Sequence, residues 1–330
     1  MTTFKEIRGT TIEVVSSDPA NPEIGQIWYN SSSGTLKGYI YATVNAWSAG
    51  GTLPAGTRFP GGAGTQTAAI VFAGISPGNA VQTTTRYYNG TAWSTPPASM
   101  NTGRYGLGSA NAGTQTAALG FGGDQLGPVT AATESFNGTS WTTVNSLNTA
   151  RAVVGGAGTQ TAGLAFGGSN PPGTRLTSTE TWNGTSWTAS GALPVAKRGM
   201  TGFGIQTAAI SAGGESPVVA TTESFNGSTW TAVNSMNTAR TGLGGAGTQT
   251  AGLGFGGYVS APVGNTTATE LWNGTSWTSN PTGLGSGRYG VVGSGTQASA
   301  LSTSGNPAPV STSSEEWTGQ QLAVKTITVS

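Results

Sequence analysis

Charged side chains are the natural starting point for any chemistry, and this chain has few of them: 13 Lys and Arg and 12 Asp and Glu in 330 residues, with no His and no Cys. Imidazole and thiolate catalysis, disulfides and the usual zinc ligand sets are therefore excluded. Two regular series stand out. Arg58, Arg104, Arg151, Arg198, Arg240 and Arg288 recur about once per 45 residues, and Glu134, Glu180, Glu223, Glu270 and Glu315 or Glu316 recur with them, Arg86 taking the Glu position in the first unit. A ring of Arg could clasp an anion on an axis. Equal spacing in every unit is equally what structural ion pairs between units would give, and that is the expectation adopted here. A glycosidase pair needs two carboxylates at one spot about 5–10 Å apart, and nothing marks one. Asp occurs only as Asp18 and Asp124, so no Asp-rich calcium loop exists.

The elements that must position these residues are repeats. GTQ-type elements place Gln66, Gln115, Gln160, Gln206, Gln249 and Gln297 at separations of 49, 45, 46, 43 and 48 residues. Trp93, Trp141, Trp187, Trp230 and Trp277 form a second series, with Trp47 before it and Leu322 in the slot after it. Periods of about 40–50 residues with several short strands each mark a β-propeller. In the third full unit the strands fall at 151–156, 161–166 and 178–182, with a fourth beginning at Trp187. Asn183-Gly184 joins the last two as a two-residue hairpin, and the same dipeptide recurs at Asn89, Asn137, Asn226 and Asn273. The five NGT or NGS sequons this creates are read as turns, not as glycosylation sites.

Residues 1–48 stand outside the series. Ile27-Trp28-Tyr29, a polar turn and Leu36 to Tyr41 read as a hairpin, with Leu36 and Tyr39 on its second strand. The expected organisation is an N-terminal attachment arm over 1–48 and a six-bladed propeller over 49–330. Ring closure has two solutions: 314–317 with 322–329 completes blade six, the version preferred slightly, or the N-terminal hairpin displaces it. No apolar run approaches the 18–20 residues of a membrane span, and the start lacks a signal-peptide pattern. Net charge is +1 without a basic cluster, which argues against nucleic acid.

A Gly-Gly pair ending one strand, an aromatic in the next, a Trp about twenty residues later and an Arg opening the following unit resemble the kelch repeat over residues 50 to 320. The pairs degrade to Ala73-Gly74 and Ser304-Gly305, and the usual Tyr-Asp before the turn becomes Phe/Trp-Asn. The GTQTA-rich units headed by GQIWYNSSSGTLKGY resemble kelch-like virion proteins of marine and cyanobacterial phages. That resemblance implies an all-β, six-bladed kelch-like propeller without cofactor or metal, made in a bacterial cytoplasm and carried on the virion exterior in several copies. It also implies tail or capsid proteins as partners, with no nucleic acid and no membrane insertion. Kelch-type copper oxidases need His and a Cys-linked Tyr, which this chain lacks; the NGTSW turn resembles the sialidase Asp-box without its Asp.

Binding is what remains. One set of turns, GAGTQ and NGTS, is uniform, whereas the loops at 75–82, 124–130, 169–177, 215–221, 258–266 and 306–312 differ from unit to unit. Loops on a rigid scaffold are the usual place for recognition, and Asp124, Gln125, Arg175, Glu215 and Tyr258 are the candidate contacts. Ile27, Trp28, Tyr29, Leu36 and Tyr39 are the candidate attachment residues. The expected function is a non-enzymatic tail or fibre protein whose propeller binds a host-surface glycan or another virion subunit. A capsid decoration protein, a soluble lectin or interaction scaffold, and a polysaccharide-degrading enzyme are the alternatives.

Overall fold

The computed structural model describes residues 12–42, 45–171, 173–215, 217–306 and 311–327, side chains 41, 42 and 321–323 excepted. Among them there are strands and turns but no helix. The chain forms two units, 46–317 and the combination of 1–45 with 318–330.

The larger unit is a ring of six four-stranded antiparallel blades. Blade 1 is Gly61–Gly64, Ala69–Phe72, Thr85–Tyr88 and Trp93–Ser94; blade 2 is Gly108–Ser109, Ala118–Phe121, Thr133–Phe136 and Trp141–Val144. Blade 3 is Gly155–Gly158, Gly163–Phe166, Thr179–Trp182 and Trp187–Ser190; blade 4 is Thr201–Ile205, Ala208–Ala212, Thr222–Phe225 and Trp230–Val233. Blade 5 is Gly244–Thr248, Ala251–Phe255, Thr269–Trp272 and Trp277–Asn280. Blade 6 takes Val292–Gly295, Ser299–Thr303 and Ser314–Thr318 from the end of the repeats, and its outer strand is Ala46–Ala49. The smaller unit is a separate sheet. Strands β1 (Glu13–Val15), β2 (Ile27–Asn30) and β3 (Thr35–Ala42) lie in order, and the C-terminal strand Gln321–Thr326 pairs with β3.

This closure corrects the preferred sequence reading, in which the C-terminal pair completed the ring and the arm ended at residue 48. The reason is the Trp slot. In every blade the outer-strand Trp donates its indole N–H to a hydroxyl on the third strand of the preceding blade. Trp141 bonds Thr85 at 2.9 Å, Trp187 Thr133 at 3.0 Å, Trp230 Thr179 at 2.9 Å and Trp277 Thr222 at 3.0 Å. Trp47 bonds Thr269 at 2.9 Å and Trp93 bonds Ser314 at 3.1 Å, which completes the circle. Leucine has no donor for that bond. Trp47 also stands edge-on to Phe255 at 4.8 Å, and the six apolar clusters fill six gaps between blades.

Gln supplies a second cross-blade tie. Gln115 Nε2 donates to the carbonyls of Ala69 and Tyr88 at 2.9 and 2.7 Å, and Gln206 to those of Gly163 and Trp182 at 2.9 and 2.6 Å. Gln66, Gln160, Gln249 and Gln297 likewise reach the third-strand carbonyls of Trp317, Phe136, Phe225 and Trp272. The repeated GTQ is a staple.

The third tie encircles the axis. Phe59, Gly106, Val153, Gly199, Gly242 and Gly290 each donate a backbone N–H to the carbonyl of the one before, and Phe59 donates to Gly290. The six distances run from 2.6 to 3.2 Å. All six residues have positive φ, between 51° and 69°. Glycine adopts this without steric cost, whereas Phe59 and Val153 adopt it against their preference, held by the ring.

Local elements differ from the sequence reading in two ways. Blade 3 begins at Gly155 because Arg151 lies outside the sheet, and Gly155 leaves the ring of Phe166 the space a Cβ would take. The Asn-Gly turns are not two residues centred on Asn-Gly. Asn137 faces Ser140, so Gly138 (φ 92°) and Thr139 are the central pair, while Asn137 Oδ1 accepts the N–H groups of Thr139 and Ser140. Glycine at the first central position is the II′ pattern, and Asn caps it from outside.

Replacing Trp47 by Ala removes a partly buried indole and its bond, and should cost about 3–5 kcal/mol in urea unfolding of the propeller. Deleting the chain from Gln321 onward should leave that transition unchanged.

Candidate binding face

The repeated charges belong to the scaffold. Arg104 pairs with Glu134 at 3.1 Å, Arg151 with Glu180 at 2.5 Å, Arg240 with Glu270 at 2.8 Å and Arg288 with Glu315 at 2.7 Å, with all four guanidinium side chains wholly buried. Each pair lies within one blade, not between blades as expected, because the Arg precedes an inner strand and reaches across to the third strand of its own sheet. The guanidinium also takes carbonyls left by the sheet, as Arg240 Nη1 does with Gly256 and Ala268. Burial pushes Arg104 down to about 10, with Glu134 opposing the shift. The carboxylates accept a backbone N–H in addition, as Glu134 does from Asn101 at 2.7 Å.

Two members of the Arg series were misaligned by one residue. In blade 4 the buried cation is Lys197, bonded to Glu223 at 2.5 Å, and burial lowers its pKa against the pull of that carboxylate. Arg198 is the next residue outward. In blade 1 Thr57 holds the buried position and Arg58 the outer one. The outer column thus reads Arg58, Tyr105, Ala152, Arg198, Thr241 and Tyr289, one residue before the axial ring in each blade. Each forms a bridge to the head of a variable loop: Ile75, Asp124, Ser169, Glu215, Tyr258 and Asn306.

These residues gather around the axis on the face of the variable loops. Arg198 Nε bonds Glu215 Oε1 at 2.5 Å, and Arg175 Nε donates to the Glu215 carbonyl at 3.2 Å, so blades 3 and 4 share one charged cluster. Burial first, and then the Asp124 carboxylate, push the Tyr105 hydroxyl above the ordinary tyrosine value. Arg58 and Arg198 act in the opposite sense, so groups from blades 1, 2 and 4 share one electrostatic field. Arg58 Nη2 also bonds Asn79 at 2.7 Å. On the other side, Tyr258 and Tyr289 have ring centroids 5.9 Å apart, and Phe59 meets Tyr289 edge-on at 5.5 Å. Aromatic surface thus faces a charged sector across the axis.

Of the five expected contacts, Arg175, Glu215 and Tyr258 join these clusters. Asp124 lies beside Tyr105, but its Oδ1 is used to cap its own loop through Leu126 and Gly127, and Gln125 lies within that turn. Tyr105, Tyr289 and Phe59 of the same face were not among the candidates, and Arg58 and Arg198 were counted with the scaffold series. The signal for Arg58, Tyr105, Arg198 and Tyr289 was a varying column directly beside one that holds Arg or Lys in five of six units.

The opposite face is the uniform one. There the channel opens into a cavity of about 470 Å³ whose lining carries no charge and includes Ala112, Ile205, Ala208 and Ala246. Asn111, from a two-residue lengthening in blade 2, crosses the channel to the Gly202 carbonyl at 2.6 Å. No group of three or more potential metal ligands occurs among the described residues.

In the smaller unit, β1 pairs in parallel with β2 and β2 antiparallel with β3, aligning Val14, Tyr29 and Leu36. Ile27 lies opposite Gly38, and Tyr39 opposite Val324 of the C-terminal strand. Trp28, expected as an attachment contact, is wholly buried and donates its indole N–H to Asp18 at 3.1 Å. Asp18 also accepts from Asn30 at 2.7 Å and pairs with Lys37 at 2.8 Å. Tyr29 and Val14 are exposed.

No protein-family description matches the chain, and no curated protein matches it. Among solved structures it is similar to one titled "Structure of YjhT", a kelch-type β-propeller, with a TM-score of 0.65 and 14% identity over 84% of this chain and 100% of that one. At that identity the likeness shows the fold. The chain is an all-β propeller of four-stranded antiparallel blades.

Two predictions separate scaffold from face. Glu180→Ala should cost about 3–5 kcal/mol, since it strands a buried guanidinium. Arg198→Ala should change stability by about 1 kcal/mol or less, because its pair is solvated; chemical unfolding of both variants checks the contrast. In the smaller unit, the Lys37, Asn30 and Trp28 bonds hold Asp18 at about 2, below the ordinary carboxylate range. Its contribution should therefore be fully present above about pH 4 and lost as pH falls through about 2. The Trp28 indole N–H resonance should titrate in that window, and Asp18→Asn should abolish the transition.

Proposed function

We propose that this protein is a non-enzymatic phage virion protein, tail- or fibre-associated, whose propeller presents its variable face to a host-surface glycan. One observation carries the reading. The repeated Gln, Trp, Arg and Glu are engaged within the scaffold, whereas the varying residues that flank them meet on one face as an aromatic arc beside a charged sector. Tyr258, Tyr289 and Phe59 offer flat apolar surface of the kind that packs on the C–H face of a sugar ring, and Arg198, Arg175, Glu215 and Arg58 offer directional partners for hydroxyls. Support for a binding role without catalysis comes from the two acids of this face, since Asp124 and Glu215 are both committed to internal hydrogen bonds. The smaller unit is the attachment element of the proposal, with Tyr29, Val14 and the edge of β1, unpaired among the described strands, as its available surface.

The test is a glycan array with the purified chain, followed by binding to host cells. Wild type should bind a defined set of glycans. Tyr258→Ala, Tyr289→Ala and Arg198→Ala should each weaken binding by about tenfold or more while remaining folded. Uniform failure to bind glycans or cells would overturn the glycan reading. Absence of the protein from purified phage particles would overturn the virion reading.

A further inference from the structure

Blade 1 breaks the ion-pair rule obeyed by the other five. In blades 2, 3, 5 and 6 a buried Arg meets a third-strand Glu, which also accepts a backbone N–H from the incoming connection. Those donors are Asn101, Asn148, Asn237 and Gly285, each at 2.7 Å. Blade 4 keeps the pair with Lys197 and Glu223. In blade 1 Thr57 stands at the cation position and Arg86 at the carboxylate position, while Pro54, like Pro194 of blade 4, has no N–H to give.

Arg86 is 3% exposed. Its Nη1 finds no hydrogen-bond partner among the described residues. Thr57 Oγ1 directs its proton toward the carbonyls of Ala73 and Ile75, and no hydrogen bond links it to Arg86 among the described residues. Tyr88 points to the same side of the strand as Arg86, and the carboxylate across that gap, Glu316, accepts the Tyr88 hydroxyl at 2.5 Å. Glu315 is held by Arg288 at 2.7 Å. A guanidinium left buried without a counter-charge is strongly unfavourable. Thr and Arg together carry about two fewer non-hydrogen atoms than the Arg and Glu of the other blades, and close-packed interiors rarely leave such a difference unused.

We propose that blade 1 binds a small monovalent anion of the chloride class, held by the Arg86 guanidinium on the side of Thr57, where the other blades place their buried cation. The size difference selects a single-atom anion over a carboxylate or phosphate. Burial alone lowers the Arg86 pKa, in keeping with a cation that has no protein partner. The site lies in the blade on which the ring closes, so the anion would tie that seam as Glu315 ties blade 6.

Crystals grown without halide and soaked in sodium bromide test this by anomalous diffraction at the bromine edge. An anomalous peak in contact with the Arg86 guanidinium is expected; ordinary water density there with no anomalous signal would overturn the proposal. In solution, chloride or bromide should raise Tm by a few degrees over gluconate at equal ionic strength, with the gain growing as the logarithm of halide concentration. The triple variant Pro54→Asn, Thr57→Arg, Arg86→Glu restores the arrangement of the other blades and should lose the halide dependence. Arg86→Met, neutral and of similar length, should lose it too and serves if the triple variant does not fold. An equal halide gain in these variants would reveal a general salt effect and overturn the site.

Discussion

The ring depends on the ties between each blade and the one before it. A four-stranded blade has two faces, and only neighbouring blades can cover both, so the structure exists as a closed circle or not at all. Three polar contacts define each gap: an indole N–H to a hydroxyl, a Gln amide to a strand-end carbonyl, and a backbone N–H to a carbonyl on the axis. All three recur at the gap where the first and last parts of the chain meet. There Trp93 reaches Ser314, Gln66 reaches the Trp317 carbonyl and Phe59 donates to Gly290. The seam carries the same contacts as the interior of the ring.

That constraint sorts the residues by role. Gln, Trp, Thr and the paired Arg and Glu are needed in every unit for the same geometric reason, so repetition reflects packing. The axial ring adds a consequence for binding. Six positive-φ residues draw the backbone together at the variable end, and Arg58, Tyr105, Arg198 and Tyr289 each directly precede a member of that ring. Their side chains are therefore presented on a rigid base, and the loops that meet them, headed by Asp124, Glu215 and Tyr258, are anchored by backbone bridges. A surface built this way loses little conformational entropy on binding.

The repeat made much of this legible. Six blades, their strand order and the division into uniform and variable faces follow from periods that a propeller alone satisfies. Arg175, Glu215 and Tyr258 could be chosen because they were chemically distinctive in loops that differed. Arg198 and Arg58 could not, because a one-residue offset merged them with the buried series. Only the side-chain partners, Lys197 with Glu223 and Thr57 with two carbonyls, reveal which residue turns inward. Trp28 was misleading in the opposite way: an aromatic in a terminal hairpin looks available for docking until Asp18 folds over to accept its N–H.

Sequence by itself determined the number of blades, the exclusion of thiol and imidazole chemistry, and the face on which variation collects. These are properties of residue type and period, which do not depend on how distant segments meet. Tertiary structure decided the rest: that Ala46–Ala49 closes blade 6, that Gln321–Thr326 joins a second sheet, that ion pairs lie within blades, and that Arg86 Nη1 is buried with no hydrogen-bond partner among the described residues. Each depends on contacts between residues far apart in the chain, where hydrogen-bond geometry and available volume choose between segments that local pattern makes equivalent.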